Sequence, residues 1–279
     1  MNARGAVLAA TLILVAGCSS DTNAIDHNDP RPLLTYGSYA YGMADYFPPL
    51  DEQTIYVYPD GTMIHIDIAG PVMTTPQPLR ATTFHIDDAE LERLLRFADA
   101  TGLDGTGPGG MEPQVSLPAG AQVMDGGYAL FTRRSGDKVT ARFVDQLGAS
   151  PEYDSGMPRA AFAALSTALW HHITSDTPTG HPPLTRWAII ARDGQANAPQ
   201  QGQAWTGPAL SSLSWTDIGT ADHPHTRCSI FTRANWPIGP GEDGSSQLVV
   251  DGAVVTRRPL LPHEHTCADV AATRSLLHL

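Results

Sequence analysis

Apolar and polar positions follow two different periods in the first half of the chain, and the periods separate strands from helices. Tyr36-Gly37-Ser38-Tyr39-Ala40-Tyr41 opens the patterned part. Residues 54–58 and 62–68 then flank Pro59-Asp60-Gly61. Proline fixes φ and glycine accepts φ > 0, so this tripeptide is turn chemistry. Beyond it Ile64, Ile66 and Ile68 fall on one face and Met63, His65 and Asp67 on the other, which predicts a β-hairpin. Residues 80–86 make a further strand. Asp87 stands where a helix N-cap is wanted, with Glu90 three positions on as in a capping box. Leu91, Leu94, Leu95 and Ala98 recur at helical spacing until Gly102. Residues 102–126 lack a period and read as a long loop. A second hairpin, 128–134 with 138–146, surrounds Ser135-Gly136-Asp137. Pro158 begins a second helix with Phe162, Leu165, Leu169 and Ile173 on one stripe. This order predicts an α+β fold in which an antiparallel sheet carries two helices on one face.

The pattern changes after residue 173. Residues 174–183 are rich in Pro, Ser, Thr and Gly and read as a linker. Short strands follow at 186–192, 226–232, 247–250 and 253–257. The last two flank Asp251-Gly252, a strong hairpin signal because both turn residues need φ > 0. Residues 208–213 fit a helical turn or a strand equally well. The expected organisation is an α+β domain over 36–173, the linker, and a small β-rich domain over 184–279.

The amino terminus has its own logic. Arg4 is followed by an apolar run from Gly5 to Val15, interrupted only by Thr11. The run is too short to span a bilayer, which takes ~20 residues, and fits the core of a secretory signal. Val15-Ala16-Gly17-Cys18 then resembles a bacterial lipobox. The resemblance implies cleavage of a lipoprotein signal peptide, 1–17, and acylation of Cys18. A diacylglyceryl group on that cysteine gives a durable tether where a single chain would not. Residues 18–35 are polar and read as a lipidated flexible spacer. The expected location is the extracytoplasmic side of the cell membrane, with the membrane as first partner.

Charge and cysteine content narrow the partners and the compartment. Net charge is −12 with Arg4 included, so −13 without it. An acidic body does not neutralise phosphates, which argues against nucleic acid. Lys138 is the one lysine, against sixteen arginines, as expected from a G+C-rich genome. Cys228 and Cys267 remain after Cys18. In an exported protein they are expected to form a disulfide; the rival is a pair of thiolates on a metal.

Arg258-Pro259-Leu260-Leu261-Pro262, followed by Glu264 and Cys267, resembles the ending of an uncharacterised family of exported and lipid-anchored proteins of G+C-rich bacteria. Arg227-Cys228 matches that family's upstream cysteine, and Tyr58-Pro59-Asp60-Gly61 with the helix over 88–100 matches its amino-terminal half. The resemblance covers most of residues 54–267. It implies the architecture and the disulfide and supplies no chemistry. Residues 268–279 are an addition to the family pattern.

Two His-x-His pairs precede the cysteines: His223 with His225, and His263 with His265. Alternate residues of an extended strand point the same way, so each pair can offer two imidazoles to one zinc or copper ion. Against this stands the plain reading of polar loop histidines. Ser135-x-x-Lys138 matches a penicillin-recognising tetrad but sits on a hairpin tip, not at a helix start. No nucleophile elbow, His-Glu-x-x-His or Cys-x-x-Cys is present, and no cofactor is expected. Trp187, Trp205, Trp215 and Trp236 all lie in the second half and suit core packing or an aromatic surface for a glycan or protein. The functional expectation is a lipid-anchored envelope protein that binds or braces an envelope protein or glycan, leaning away from an enzyme. The alternatives are an envelope hydrolase with a spatially assembled site and a protease-inhibitor-like module offering a strand edge.

Overall fold

The computed structural model describes residues 25–40, 55–68, 79–103, 114–121, 127–181, 185–193, 207–219, 224–232, 246–250 and 253–275. Strands β1 (Leu34–Ala40), β2 (Ile55–Val57), β3 (Thr62–Ile68) and β4 (Leu79–His85) lead into helix α1 (Asp88–Ala100). Strands β5 (Gln114–Val115), β6 (Gly127–Ser135) and β7 (Lys138–Asp145) lead into helix α2 (Arg159–Ser175). These strands form one seven-stranded sheet in the order β4-β3-β2-β1-β6-β7-β5, antiparallel except where β5 joins β7. The fold is α+β, as the pattern predicts.

Both helices lie on the same face. Leu91, Leu94, Leu95 and Ala98 of α1 and Phe162, Leu165 and Leu169 of α2 share one core with Leu34, Ile55, Val57, Met63, Phe131 and Val144. Asp87 caps α1, its Oδ1 accepting from the Glu90 N–H at 2.8 Å. Gly61 takes φ +79°, and a Cβ there would lie 2.3 Å from the Ile86 carbonyl oxygen. The turn therefore demands glycine for both conformation and space.

Ile64 and Ile66 of β3 do not face the helices. Met63 enters the helix-side core, and the His65 ring meets Trp170 of α2 edge-on at 5.2 Å. Ile64 and Ile66 turn to the opposite face with Tyr56, Tyr58 and Ala81, where Leu261 covers them. A sheet buried on both faces has no simple alternation, so the more apolar stripe need not be the one under helices.

Residues 25–35, read above as spacer, are held in place. Ile25 packs against the helix-side core and Leu33 and Leu34 lie within it. Leu34–Ala40 pairs with β2 and along its full length with β6. Residues 174–183 include a tied segment too: Thr179 and Gly180 bond the backbone of Thr83 at 2.8 and 2.9 Å, along the edge strand β4.

The second sheet comprises β8 (Arg186–Asp193), β9 (Thr216–Asp217), β10 (Thr226–Thr232), β11 (Ser246–Val250) and β12 (Ala253–Pro259), in the order β11-β12-β8-β10-β9. Val250 pairs Ala253, the register the Asp251-Gly252 signal predicts, though that turn lies outside the described residues. Leu210–Ser212 is a single 3-10 turn. Trp187, Ile189, Ala191, Phe231 and Val255 pack on one face. Ala188, Ile190, Cys228, Leu260, Cys267 and Val270 pack on the other. The last two belong to helix α3 (Cys267–Ser275), which the pattern does not predict. Its start is a reciprocal capping box: Asp269 Oδ2 accepts the Thr266 N–H at 2.7 Å, and Thr266 Oγ1 accepts the Asp269 N–H at 3.3 Å.

Candidate functional site

Cys267, His263 and His265, all singled out from the sequence, lie on the segment 259–267, which packs against both sheets. Cys228 lies in β10 and Cys267 opens α3. They are disulfide-bonded with Cα atoms 5.8 Å apart, inside the normal range. Both are buried, so the bond staples α3 onto the sheet. Each sulfur is bonded to the other, which leaves no pair of thiolates for a metal.

Residues 259–266 act as a clasp. Pro259 pairs Trp187 at the end of β12, and the Leu260 N–H donates to the Arg186 carbonyl at 3.0 Å. Leu260 packs into the second sheet and Leu261 into the first. Two consecutive side chains thus point to opposite cores, as successive residues of extended chain do. Glu264 is 1% exposed. Its Oε2 accepts the Leu261 N–H and its own N–H donates to the Leu261 carbonyl, both at 2.9 Å. The Arg-Pro-Leu-Leu-Pro…Glu…Cys motif therefore packs against both sheets.

His263 points into this seam. Its Nδ1 is 3.1 Å from the Tyr58 hydroxyl, and its ring lies 6.0 and 5.9 Å from those of Tyr56 and Tyr58. Burial pushes the Tyr58 hydroxyl well above its usual pKa, and the charges of Glu264 and Asp60 push the same way. Tyr58 is held as a neutral phenol. His265 is exposed and is bound by Arg186, which donates to its backbone carbonyl. His225 is exposed ahead of β10, and His223 lies outside the described residues. The clasp thus sends His263 and His265 to different partners. Among the described residues no group of three or more His, Cys, Asp or Glu is arranged to hold a metal ion.

A second cluster has no sequence motif. His172, 7% exposed, places Nε2 2.9 Å from Glu90 Oε1 and Nδ1 2.9 Å from Asp176 Oδ2. Arg93 grips the same Glu90 carboxylate, and this bond, with help from His172, holds Glu90 below the usual carboxylate range. The Glu90 side chain thus spends itself on Arg93 and α2, so Asp87 supplies the side-chain half of the expected capping box. With both ring nitrogens engaged, His172 presents no lone pair to a substrate; it ties the start of α1 to the end of α2. Only the i,i+3 spacing of Glu90 with Arg93 and the i,i+4 spacing of His172 with Asp176 hint at it in the sequence. Next to it, Ser175 Oγ lies 3.2 Å from His171 Nδ1 on the exposed side of α2.

A third cluster lies where the chain enters the body. Asp29 Oδ2 accepts from Arg31 at 2.9 Å and from Arg134 at 2.7 Å. Arg31 also reaches Asp137 at 3.1 Å. Arg134 donates to the carbonyls of Pro32 and Arg31. The bond from Arg31 is the main reason the Asp29 carboxyl sits far below its ordinary value, with Arg134 adding to it. Burial pushes Arg134 the other way, below the ordinary guanidinium value.

Cys18 lies outside the described residues. Among the described residues no helix is long and apolar enough to cross a membrane. No protein-family model, curated protein or solved structure matches the chain.

Proposed function

We propose that this chain is a lipid-anchored protein of the bacterial cell envelope, one of the exported proteins its carboxy-terminal motif resembles. In this reading acylated Cys18 holds it on the extracytoplasmic side, and its body binds or braces an envelope protein or glycan without catalysing a reaction. The observation that carries the reading is the buried Cys228–Cys267 disulfide, found in a chain whose first residues have the order of a lipoprotein signal. Disulfides of this kind persist in oxidising compartments. The use of the histidines supports the non-catalytic part. His263 is committed to Tyr58, His172 to two carboxylates, His181 to the Ala81 carbonyl and His65 to Trp170. These imidazoles hold the body together.

The test compares the full chain with its Cys18→Ala variant after expression in a bacterium that processes lipoproteins. The full chain is expected in the membrane pellet and the detergent phase, and to take up labelled palmitate. The variant is expected to do neither. Equal partition of the two, or a full chain without label, overturns the anchored reading.

A further inference from the structure

We infer that residues 179–181 are an edge guard. By occupying the outward backbone of β4 they keep the first sheet from pairing, β4 to β4, with a second copy of this chain. The guard operates whether or not Cys18 is acylated.

The first sheet ends in β4 on one side and β5 on the other. β5 is two residues long, too short to template another strand. β4 is seven residues long and contains neither proline nor an acidic side chain. The outer edge of such a strand is a row of backbone donors and acceptors that invites pairing with another chain. Residues 179–181 occupy that row. The Thr83 N–H donates to the Gly180 carbonyl at 2.9 Å, and the Thr83 carbonyl accepts the Thr179 N–H at 2.8 Å and the Thr179 hydroxyl at 3.1 Å. His181 Nδ1 donates to the Ala81 carbonyl at 2.8 Å. The bond between Asp176 and His172 fixes the entry of this strap. The cover is thin: Thr83 and Gly180 form a single isolated bridge. Thr179, Gly180 and His181 are all exposed, so water competes for each of these bonds.

The register identifies the occupant that the strap excludes. Ala81 and Thr83 face outward, as their bonds to the strap show, and Thr82 between them pairs with His65 of β3. A two-fold axis through Thr82 sets Ala81 of each copy opposite Thr83 of the other. Every outward group then meets an outward group, as in the hydrogen-bonded pairs of an antiparallel ladder. Arg80 falls opposite Phe84 and Leu79 opposite His85, so no like charges face each other. An isologous interface requires this self-complementarity. The net charge of −12 opposes the approach of two copies at low salt and is screened beyond about 8 Å at physiological ionic strength.

The experiment places a cysteine on that axis. In the two-copy ladder Thr82 meets Thr82 as the close, non-hydrogen-bonded pair, with Cα atoms about 4.5 Å apart, within disulfide reach. Thr82→Cys is introduced into the full chain, once with the guard intact and once with it opened by Thr179→Pro and His181→Ala. The proline removes the N–H and the hydroxyl, and the alanine removes the imidazole donor. Each protein is oxidised with diamide at physiological ionic strength, and linked peptides are identified by mass. Opening the guard is expected to raise the yield of 82-to-82 dimer at least about tenfold, because the closed form loses its hydrogen bonds to β4. His181→Ala alone leaves the backbone donors in place and is expected to raise it about threefold. Hydrogen exchange in β1 and β6 reports whether each variant keeps its fold. An opened variant that keeps this protection, yet gives no more 82-to-82 dimer than the intact guard, overturns the inference. Dimers linked only through Cys18 overturn it too. If the doubly substituted guard costs β1 and β6 their protection, His181→Ala decides: a threefold rise supports the guard and an unchanged yield overturns it.

Discussion

The two sheets reach stability by different routes. In the first, strands adjacent in the chain pair directly: β1 with β2, β2 with β3, β3 with β4 and β6 with β7. Two helices close one face over a core of nineteen buried residues among those described. In the second, β8 is central and pairs with β10 and β12, which come much later. Its described residues include seven buried core residues on each face. The disulfide sits in this half, joining β10 to α3, and adds a covalent link of which the strands and helices of the first sheet show none among the described residues. The clasp belongs to both, since Leu260 and Leu261 serve one sheet each.

The largest test of this contrast is removal of the staple. Replacing Cys228 and Cys267 together by Ser is expected to cost ~3–4 kcal/mol, the entropy of a loop of this length for a sequence separation of 39. Hydrogen exchange followed by mass spectrometry should show protection falling in β8, β10 and β12 while β1 and β6 keep theirs. Equal loss in both sheets would erase the distinction.

Leu261→Ala comes next, at about 3 kcal/mol for a buried leucine, and should loosen both sheets together in the same exchange measurement. Tyr58→Phe removes the bond to His263 for about 1 kcal/mol. It also removes a pH effect. The folded-state pKa of Tyr58 is raised, so its contribution is complete below the unfolded value of about 10 and fades as pH rises beyond it. Urea midpoints should therefore fall on the alkaline side in wild type more steeply than in Tyr58→Phe.

Asp29→Asn strikes the first sheet alone. It leaves the buried Arg134 guanidinium without its carboxylate, at a cost of about 2 kcal/mol; full burial of both partners would make it more. The folded-state pKa of Asp29 is lowered. Its contribution is thus present above the unfolded value near 4 and lost as pH falls below it. The gap in urea midpoint between wild type and Asp29→Asn should narrow from pH 6 to pH 3. Asp87→Ala, like Tyr58→Phe, is expected to cost about 1 kcal/mol, here for a lost cap, read as a drop in thermal midpoint without change in the second sheet's exchange.

Where period and punctuation act within one element, the sequence is legible. The Pro59-Asp60-Gly61 turn, the Asp87 cap, the stripes of α1 and α2 and the Val250–Ala253 hairpin all follow from neighbours in the chain. The unread features depend on distant partners. Leu33 and Leu34 look like the end of a polar spacer because Pro30-Arg31-Pro32 precedes them; backbone bonding to β2 and β6 is what places them in the core. Which face of β3 lies under the helices is not legible in its alternation, because nothing local reveals the second cover that Leu261 supplies from far along the chain. The His172 cluster joins residues 82 apart in the sequence. Helix α3 is the exception, since Thr266-x-x-Asp269 is a local start signal that its sparse apolar stripe obscures. Of the site, the cysteine pair is legible, whereas the roles of His263 and Glu264 require the first sheet.

Export underlies everything proposed here, and the intact mass of the protein purified from bacterial membranes without reductant tests it most directly. The account predicts a chain beginning at residue 18, heavier by its acyl groups and lighter by the two hydrogens lost to the disulfide. A chain retaining Met1, with Cys228 and Cys267 both open to alkylation after denaturation, would contradict it.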